Sequence, residues 1–371
     1  MKNIKVAVIG CGIIGDAHIK QYTELPGCEI AALCDIDPAR LELIADRYNV
    51  KARYTHIGKM LREVDCDAVD ICLHNNQHRP ATIAVLESGR HAYCEKPMAG
   101  TYADSLAMLE AAKRTGKMLH IQLALLYDNA TKAAKIFIDN GRLGRLYHMR
   151  SVGFRRRGRP FVDGYATKEF VNSKTARGGA LFDMGVYRMS QLIYLAGVPK
   201  LERVVGRTYR EVAVDPARQK ESGFDVEELG VGLAHYEGGL TMDIIESWAI
   251  HLGGLGSTCI AGTEGGITFD PFHYHNLTDD MQIDATVDLG AFNYRNETVH
   301  AAGNLYESSQ AHWLHAIRGE VELLPTAEIA LQTMLAQEGV FLSSKLGREV
   351  TADEIRKSSV STALELPNLA L

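Results

Sequence analysis

The segment formed by residues 5–15 constrains the fold of this chain more than any other. It is an apolar run that ends in three glycines at the spacing G-x-G-x-x-G, namely Gly10, Gly12 and Gly15. The run is too short to be a helix and predicts a buried strand, and the glycines predict a tight turn into a helix. Gly10 allows the chain to turn, Gly12 leaves the backbone open to a pyrophosphate, and Gly15 lets the helix pack closely against the strand.

An acidic residue follows this turn at the distance that dinucleotide binding requires. A second predicted strand, residues 29–34, ends at Asp35, about 20 residues after the turn. A carboxylate there binds ribose hydroxyls and repels a 2′-phosphate, so NAD is favoured over NADP. The first residues of the intervening helix, Ile13 and Ile14, present backbone N–H groups to the phosphates. The alternative is an ordinary strand–turn–helix unit that binds no ligand.

Composition narrows the class of protein. The 371 residues suit two domains, and 46% hydrophobic with 23% charged residues is typical of a globular protein. A net charge of −6 gives no general attraction to nucleic acid or to membranes, and no apolar stretch approaches the roughly 20 residues of a membrane span. The seven cysteines lack CxxC spacing, which predicts free thiols, no metal site and, without a signal peptide, a cytoplasmic protein.

The order of predicted elements changes near residue 123. Residues 1–123 alternate strand and helix, including a helix over residues 79–88, which predicts a Rossmann-type doubly wound parallel sheet. Residues 124–371 contain a predicted helix at 179–195 and several long strands, two of them joined by the turn Glu237–Gly239. We therefore predict an α/β chain with an NAD-binding domain and a second α+β domain on a large, mostly antiparallel, open sheet.

Three motifs resemble those of one family. The sequence Glu95-Lys96-Pro97 after the fifth strand, behind the glycine turn, resembles the glucose–fructose oxidoreductase / inositol dehydrogenase / MocA-like (Gfo/Idh/MocA) family. Residues 73–78 resemble the family's T-P-N-x-x-H motif, in which Asn75 and His78 match and His74 stands where proline is usual.

The third motif carries an important departure. Residues 178–190 resemble the family's G-G-x-x-x-D-x-G-x-H-x-x-D, with Asp183 matching, Tyr187 in place of the catalytic histidine and Ser190 in place of the last aspartate. Tyrosine at this position resembles the glucose–fructose oxidoreductase, xylose dehydrogenase and dihydrodiol dehydrogenase branch, in which it acts as acid/base. The alternative for Tyr187 is a helix residue whose ring packs in the domain interface.

The resemblance implies roles for these residues. NAD would contact the glycine turn, Asp35, Asn75, His78, Glu95 and Lys96. Lys96 would bind the reacting oxygen, Tyr187 would take the hydroxyl proton and Asp183 would hold a neighbouring hydroxyl. Lowering a tyrosine pKa from about 10 to 7 requires roughly 4 kcal/mol, which an ammonium about 4 Å away supplies at an effective dielectric constant near 20. The alternatives are a surface lysine at 96 and an ordinary helix N-terminal carboxylate at 183.

Further substrate contacts are expected from a basic run, residues 155–160, and from the segment after it. Arg157, Lys168 and His74 are the candidates, and the alternative for the basic run is a solvated or inter-subunit surface. The resemblance also implies a homodimer or homotetramer that associates through the second-domain sheet.

Three functions remain open on sequence alone. The first is an NAD-dependent dehydrogenase acting on a sugar, a polyol such as inositol, or a glycoside. The second is a glycoside-cleaving or sugar–sugar oxidoreductase with internally recycled NAD. The third is a non-catalytic regulator that senses NAD or sugar.

Overall fold

The computed structural model describes residues 2–300 and 303–369, and these form two compact units. The first unit comprises the residues up to Gln122, Asn304–Ala327 and the residues from Ser361 onwards. The second unit comprises Leu123–Gly303 and Glu328–Val360. The predicted division at residue 123 coincides with the first crossing between the units, but the chain then returns twice to the first unit.

The first unit is built on a six-stranded parallel sheet, which confirms the predicted doubly wound class. The strand order is β3-β2-β1-β4-β5-β6, and every pair in it is parallel. This order reverses between β1 and β4, and ligands of such sheets bind outside the carboxyl ends of the strands at that point. In chain order the strands are β1 Ile4–Ile9, β2 Cys28–Cys34, β3 Arg53–Tyr54, β4 Ala68–Ile71, β5 His91–Cys94 and β6 Leu119–Ile121.

Helices flank this sheet. Numbered in chain order through the whole protein, those of the first unit are α1 Ile13–Glu24, α2 Pro38–Arg47, α3 Ile57–Glu63, α4 Asn75–Glu87, α5 Tyr102–Thr115 and α12 Ser309–Ile317. Helix α4 begins four residues earlier than the predicted helix over 79–88, so Pro80 lies inside it. Proline has no N–H to donate to the carbonyl four residues back, which leaves the oxygen of Asn76 without its helical donor. The amide of Leu364 donates to that oxygen instead, at 2.7 Å.

The core of the first unit explains why a distant part of the chain belongs to it. Apolar side chains of β1, including Ile4 and Val6, are completely buried in one cluster with Trp313 and Leu314 of α12. Burial of Trp313 and Leu314 stabilises the packing of α12 against the first-unit sheet by about 2–3 kcal/mol for each side chain. These contacts join residues that lie far apart in the chain, so no local sequence pattern reveals them.

The second unit contains a nine-stranded mixed sheet in the order β14-β13-β12-β11-β7-β10-β9-β8-β15. The neighbours β7 and β10 run parallel and the other neighbouring pairs run antiparallel, so the predicted, mostly antiparallel sheet is confirmed. The predicted turn joins β9 to β10 and uses positive φ angles of 75° at Gly238 and 77° at Gly239. The strands are β7 Leu146–Phe154, β8 Leu201–Tyr209, β9 Leu229–Tyr236, β10 Thr241–Ser247, β11 Cys259–Gly262, β12 Gly266–Phe269, β13 Phe272–Thr278, β14 Met281–Thr286 and β15 Val350–Thr351.

The remaining helices are α6 Asn129–Asp139, α7 Ser173–Ala176, α8 Ala180–Asp183, α9 Gly185–Leu195, α10 Pro216–Ser222, α11 Leu289–Val299, α13 Thr326–Leu346 and α14 Ala352–Ser358. Short 3₁₀ turns occur at Ala124–Tyr127, Lys168–Val171, Glu237–Gly239 and Gly303–Tyr306.

The predicted helix over residues 179–195 is in fact two helices, α8 and α9, separated at Met184. The buried carboxylate of Glu227 accepts hydrogen bonds from the amides of Gly179 at 2.7 Å and Leu181 at 2.9 Å, which satisfies the start of α8. This arrangement places Asp183 at the end of α8 and Tyr187 in the first turn of α9.

Candidate active site

The glycine turn has the geometry that its sequence predicts. Gly10 has a φ of +93°, and a Cβ there would clash with the carbonyl oxygen of Cys72. A Cβ at Gly15 would clash with the carbonyl oxygen of Gly10, so the close packing of α1 on β1 requires glycine. At Gly12, in contrast, an added Cβ would have no described atom within 4 Å apart from those of Gly12 and its neighbours in the chain. The backbone before Ile13, where α1 begins, is therefore open on the side where a pyrophosphate binds.

Asp35 lies at the end of β2 and is tied to this turn. Its Oδ2 accepts a hydrogen bond from the amide of Cys11 at 2.7 Å, and its Oδ1 accepts one from the amide of Asp37 at 2.9 Å. Each carboxylate oxygen has a second lone pair, which suits the two hydroxyls of a ribose. The negative charge opposes a 2′-phosphate at the same place. The glycine turn and Asp35 thus fit NAD.

The loop that carries Lys96 is held by a buried ionic cluster. His18 Nδ1 lies 2.9 Å from Asp70 Oδ2, and His18 Nε2 lies 3.0 Å from Glu95 Oε1. The other oxygen of Glu95 accepts a hydrogen bond from the amide of Lys96 at 3.1 Å. Glu95 is 8% exposed and His18 is 5% exposed, so the cluster is shielded from solvent. Glu95 therefore fixes the backbone at Lys96.

The charges in this cluster follow from its contacts. Burial alone would lower the pKa of His18, but Cys72 and Asp70 raise it well above its usual value. Burial alone would raise the pKa of Glu95, but the hydrogen bond from His18 and its charge lower it. Both pKa shifts favour the charged forms of His18 and Glu95. His18, Asp70 and Cys72 are grouped as metal ligands would be, yet both ring nitrogens already face carboxylates.

The residues of the second motif divide into two kinds. His74 is the N-cap residue of α4 and Asn75 is its first residue, and both are half-buried. His78 is completely buried, with Nδ1 2.9 Å from the carbonyl oxygen of Pro97 and Nε2 2.9 Å from that of Leu73. Burial lowers the pKa of His78. The side chain of His78 thus connects the segments that follow β4 and β5, and its contact with the cofactor stays a prediction.

In the second unit, Asp183 is held by a tryptophan. Its Oδ2 accepts a hydrogen bond of 3.1 Å from Nε1 of Trp248, a completely buried residue directly after β10. Tyr187 is half-buried, one turn along the chain. The helical break at Met184 lies between the two, and the amide of Tyr187 donates to the carbonyl oxygen of Met184.

The carboxyl of Glu246 is completely buried, and the charge of Asp183 affects it. Ser151 Oγ donates to Glu246 Oε1 at 2.7 Å, and Arg188 Nη1 lies 3.5 Å from Glu246 Oε2. A Cβ at Gly153 would clash with both Arg188 and Glu246, so glycine makes room for this pair. Burial raises the pKa of Glu246 to about 7, the charge of Arg188 opposes this shift, and the charge of Asp183 adds to it.

Two family models match most of the chain. The NAD-binding Rossmann-fold domain of the GFO/IDH/MocA oxidoreductase family matches residues 4–123, and the GFO/IDH/MocA C-terminal domain matches residues 131–268. The chain belongs to this family. It is therefore an NAD-binding oxidoreductase, as the three sequence motifs predicted.

The chain is similar to several named dehydrogenases. The D-glucoside 3-dehydrogenase of Escherichia coli (strain K12) is 26% identical over 73% of this chain and 78% of its own length. The D-apiose dehydrogenase of Paraburkholderia graminis is 26% identical over 94% of this chain and 90% of its own length. The structure of a levoglucosan dehydrogenase in complex with NADH has a TM-score of 0.79 at 20% identity, covering 95% of this chain and 99% of that one. The structural likeness confirms the fold.

The basic run of this Gfo/Idh/MocA member contains arginines with different surroundings. Arg159 is completely buried between Asp163 and Glu228 and supports the fold. Arg157 also pairs with Asp163, at 3.1 Å, but 69% of its side chain is exposed. Lys168, at the start of a 3₁₀ turn, is exposed as well. Arg157 and Lys168 are thus accessible, whereas Arg159 is not.

Sequence reasoning missed several groups around the family's aspartate. It assigned no role to Trp248, Glu227 or Glu246. Burial raises the pKa of Glu227 to about 7 as well, although the amides that it caps oppose the shift. Glu246 is a charged residue within a strand-like apolar segment, and this was the available signal. Glutamate is almost never fully buried without a partner, so a glutamate in such a segment indicates a buried partner nearby.

Among the residues that the structure describes, no helix combines the length and the apolar character needed to cross a membrane. The seven cysteines are all free thiols, as predicted.

Proposed function

We propose that this protein is an NAD-dependent dehydrogenase that oxidises a hydroxyl-bearing carbon of a sugar, polyol or glycoside. One observation carries the proposal: the family's lysine and aspartate are both present, and both are held by buried partners. The backbone of Lys96 is bonded to Glu95, which His18 fixes, and the carboxylate of Asp183 is bonded to Trp248. A regulator that only senses its ligand does not need a fixed backbone at Lys96 together with a fixed carboxylate at Asp183.

The residues of this chain take three roles in the proposal. Bound NAD supplies the hydride acceptor. Lys96 stabilises the negative charge that develops on the substrate oxygen, and Tyr187 accepts the hydroxyl proton as general base. Asp183 accepts a hydrogen bond from a neighbouring hydroxyl. Its bond to Trp248 fixes the direction of the carboxylate, and fixed groups contribute more to catalysis than mobile ones.

The substrate class is supported by the relatives described above, whose names all refer to carbohydrates. Arg157 and Lys168 are exposed cations in the second unit, and His74 is a half-buried imidazole at the start of α4. We assign these three side chains to the parts of the substrate away from the reacting carbon. An exposed arginine suits the carboxylate of a sugar acid.

The experiment that tests this function is NADH formation by the purified protein with added NAD, across free sugars, inositols, sugar acids and glycosides. Lys96→Met and Tyr187→Phe serve as inactive controls for each positive substrate. Activity with one substrate class, lost in both variants, supports the proposal. A folded protein that binds NADH but oxidises no member of the panel contradicts it.

We also propose that the protein is a homodimer or homotetramer that associates through the second-unit sheet and works in the reducing cytoplasm. Large apolar side chains are exposed on strands of this sheet: Val205 of β8, Leu277 of β13 and Met281 of β14. Covering such side chains is favourable in proportion to the apolar area removed from water. A monomeric mass measured by light scattering would contradict the proposed homodimer or homotetramer.

A further inference from the structure

The last described residues of the chain lie outside the two family-domain matches. After α14 the residues from Ser361 to Leu369 form no helix or strand, and they lie far beyond residue 268, where the match to the C-terminal domain ends. They nevertheless belong to the first unit. We call residues 361–369 the C-terminal strap.

One end of the strap is fixed to α4 and α5. The amide of Thr362 donates to Oδ2 of Asp104 at 2.9 Å, and Asp104 is 1% exposed. The hydroxyl of Thr362 donates to Oδ1 of Asn76 at 2.8 Å. A Cβ at Gly100 would clash with Asn76 and lie 2.6 Å from Thr362 Oγ1, so the glycine makes room for this bond.

The strap also repairs the defect that proline makes in α4. Pro80 lacks the N–H that would bond to the carbonyl oxygen of Asn76, and the amide of Leu364 bonds to that oxygen at 2.7 Å. Arg79 adds a further tie, since its Nη1 lies 2.8 Å from Ser361 Oγ. The helix and the strap therefore satisfy each other's backbone groups.

The other end of the strap is fixed near α3. The amide of Gly58 donates to the carbonyl oxygen of Asn368 at 3.3 Å. The side-chain amide of Asn368 donates to the carbonyl oxygen of Thr55 at 3.1 Å. The strap thus crosses from α4 and α5 to the segment that follows β3, held at both ends.

Between these anchors the strap forms one wall of a cavity at the carboxyl edge of the sheet. The strap contributes Leu366, Pro367 and Asn368. The cavity is also lined by Gly10 of the glycine turn, by Asp35 at the end of β2 and by Leu73 after β4. In a sheet of this topology the adenosine half of a dinucleotide lies in this crevice, beside the acidic residue at the end of β2.

We propose that the C-terminal strap is part of the cofactor site, closing over the adenosine half of bound NAD and slowing its release. Leu366 and Pro367 offer apolar surface to an adenine ring, and their positions are set by anchors on either side. Release of the cofactor then requires that one end of the strap detaches. This inference rests on the proposed NAD-dependent function.

The test measures how fast NADH leaves the full-length protein, by stopped-flow fluorescence after mixing with excess NAD. Thr362→Val keeps the shape of the side chain and removes its bond to Asn76. A second variant ends after Val360 and lacks the strap. The matched control is Val360→Thr, the reverse exchange at a position that is 67% exposed and directly precedes the strap.

We expect NADH release about tenfold faster, with correspondingly weaker binding, in Thr362→Val, because one hydrogen bond to a buried group is lost. The shortened protein should release NADH faster still, and Val360→Thr should match the parent. The release of ADP-ribose, which keeps the adenosine half and lacks the nicotinamide, should be accelerated in the same way, whereas the release of nicotinamide mononucleotide should be unchanged.

An unchanged rate of NADH release in Thr362→Val and in the shortened protein would contradict the proposal. Tighter NADH binding by these variants would also contradict it, because it would mean that the strap competes with the cofactor. If the shortened protein fails to fold, as circular dichroism would show, Thr362→Val decides alone. These assays contain no sugar, so the strap can fail while dehydrogenase activity stands. A parent protein that binds no NADH at all would instead contradict the proposed function.

Discussion

The carboxylate of Asp183 accepts a hydrogen bond of 3.1 Å from the indole Nε1 of Trp248. The two residues are 65 positions apart, one at the end of α8 and the other directly after β10. The hydrogen bond restricts rotation of the Asp183 carboxylate. Trp248 therefore orients the carboxylate that we propose binds the substrate.

Replacing Trp248 with Phe should lower kcat/KM by about tenfold or more, because a hydrogen bond to a charged group contributes roughly 1.5–3 kcal/mol. Steady-state kinetics with the substrate found in the panel would measure this. Trp313→Phe is the matched control, since within the described part of the chain Nε1 of Trp313 has no hydrogen-bond partner. Equal losses in both variants would show that Trp248 acts only through packing.

Lys96→Met should reduce turnover by about a hundredfold or more while NADH binding stays close to that of the parent. The change removes the ammonium that stabilises the reacting oxygen but keeps the apolar stem of the side chain. Turnover and NADH fluorescence titration measure the two effects separately. Lys113→Met, at an exposed position of α5, provides a control that should behave as the parent. Near-normal turnover in Lys96→Met would remove Lys96 from the mechanism.

Tyr187→Phe should lower kcat by about 10²–10⁴, the usual contribution of a general acid or base. Tyr194→Phe removes a hydroxyl from the same helix, α9, and should retain activity. Full activity of Tyr187→Phe would leave His74 as the histidine of the second motif to be tested next, because His78 is buried with both ring nitrogens close to backbone carbonyl oxygens.

Glu246 should make the stability of the protein depend on pH. Burial raises its pKa from 4.5 to about 7 in the folded state, so the folded protein holds a proton that the unfolded chain releases. The free energy of unfolding therefore falls as the pH rises through this interval, by on the order of 3 kcal/mol. Glu246→Gln removes this effect, and its stability relative to the parent should increase between pH 4.5 and 7.

Urea denaturation of Glu246→Gln and the parent at pH 5 and pH 8 measures this difference. Glu202→Gln, at an exposed position of β8, is the control and should give the same difference from the parent at both pH values. A constant difference for Glu246→Gln would contradict the buried, proton-binding carboxyl.

Local sequence was sufficient to predict features that depend on the backbone conformation of a short segment. The positive φ of Gly10, the open backbone at Gly12 and the position of Asp35 at the end of β2 are consequences of a short apolar run and its turn. The alternation of strand and helix predicted the parallel sheet of the first unit, and the hairpin between β9 and β10 helped to predict the mostly antiparallel sheet of the second. Both features reflect short-range patterns of apolar and turn residues.

The tertiary structure decided whatever depends on contacts between distant residues. Only folding shows that Trp313 lies in the first-unit core, that His78 is buried, that Trp248 holds Asp183 and that Leu364 completes α4. No periodicity in the sequence encodes these pairings, because each one depends on where two separate segments meet. The sequence by itself therefore determined the dinucleotide-binding scaffold and the identity of the candidate reactive residues, while the three-dimensional packing decided which groups support them.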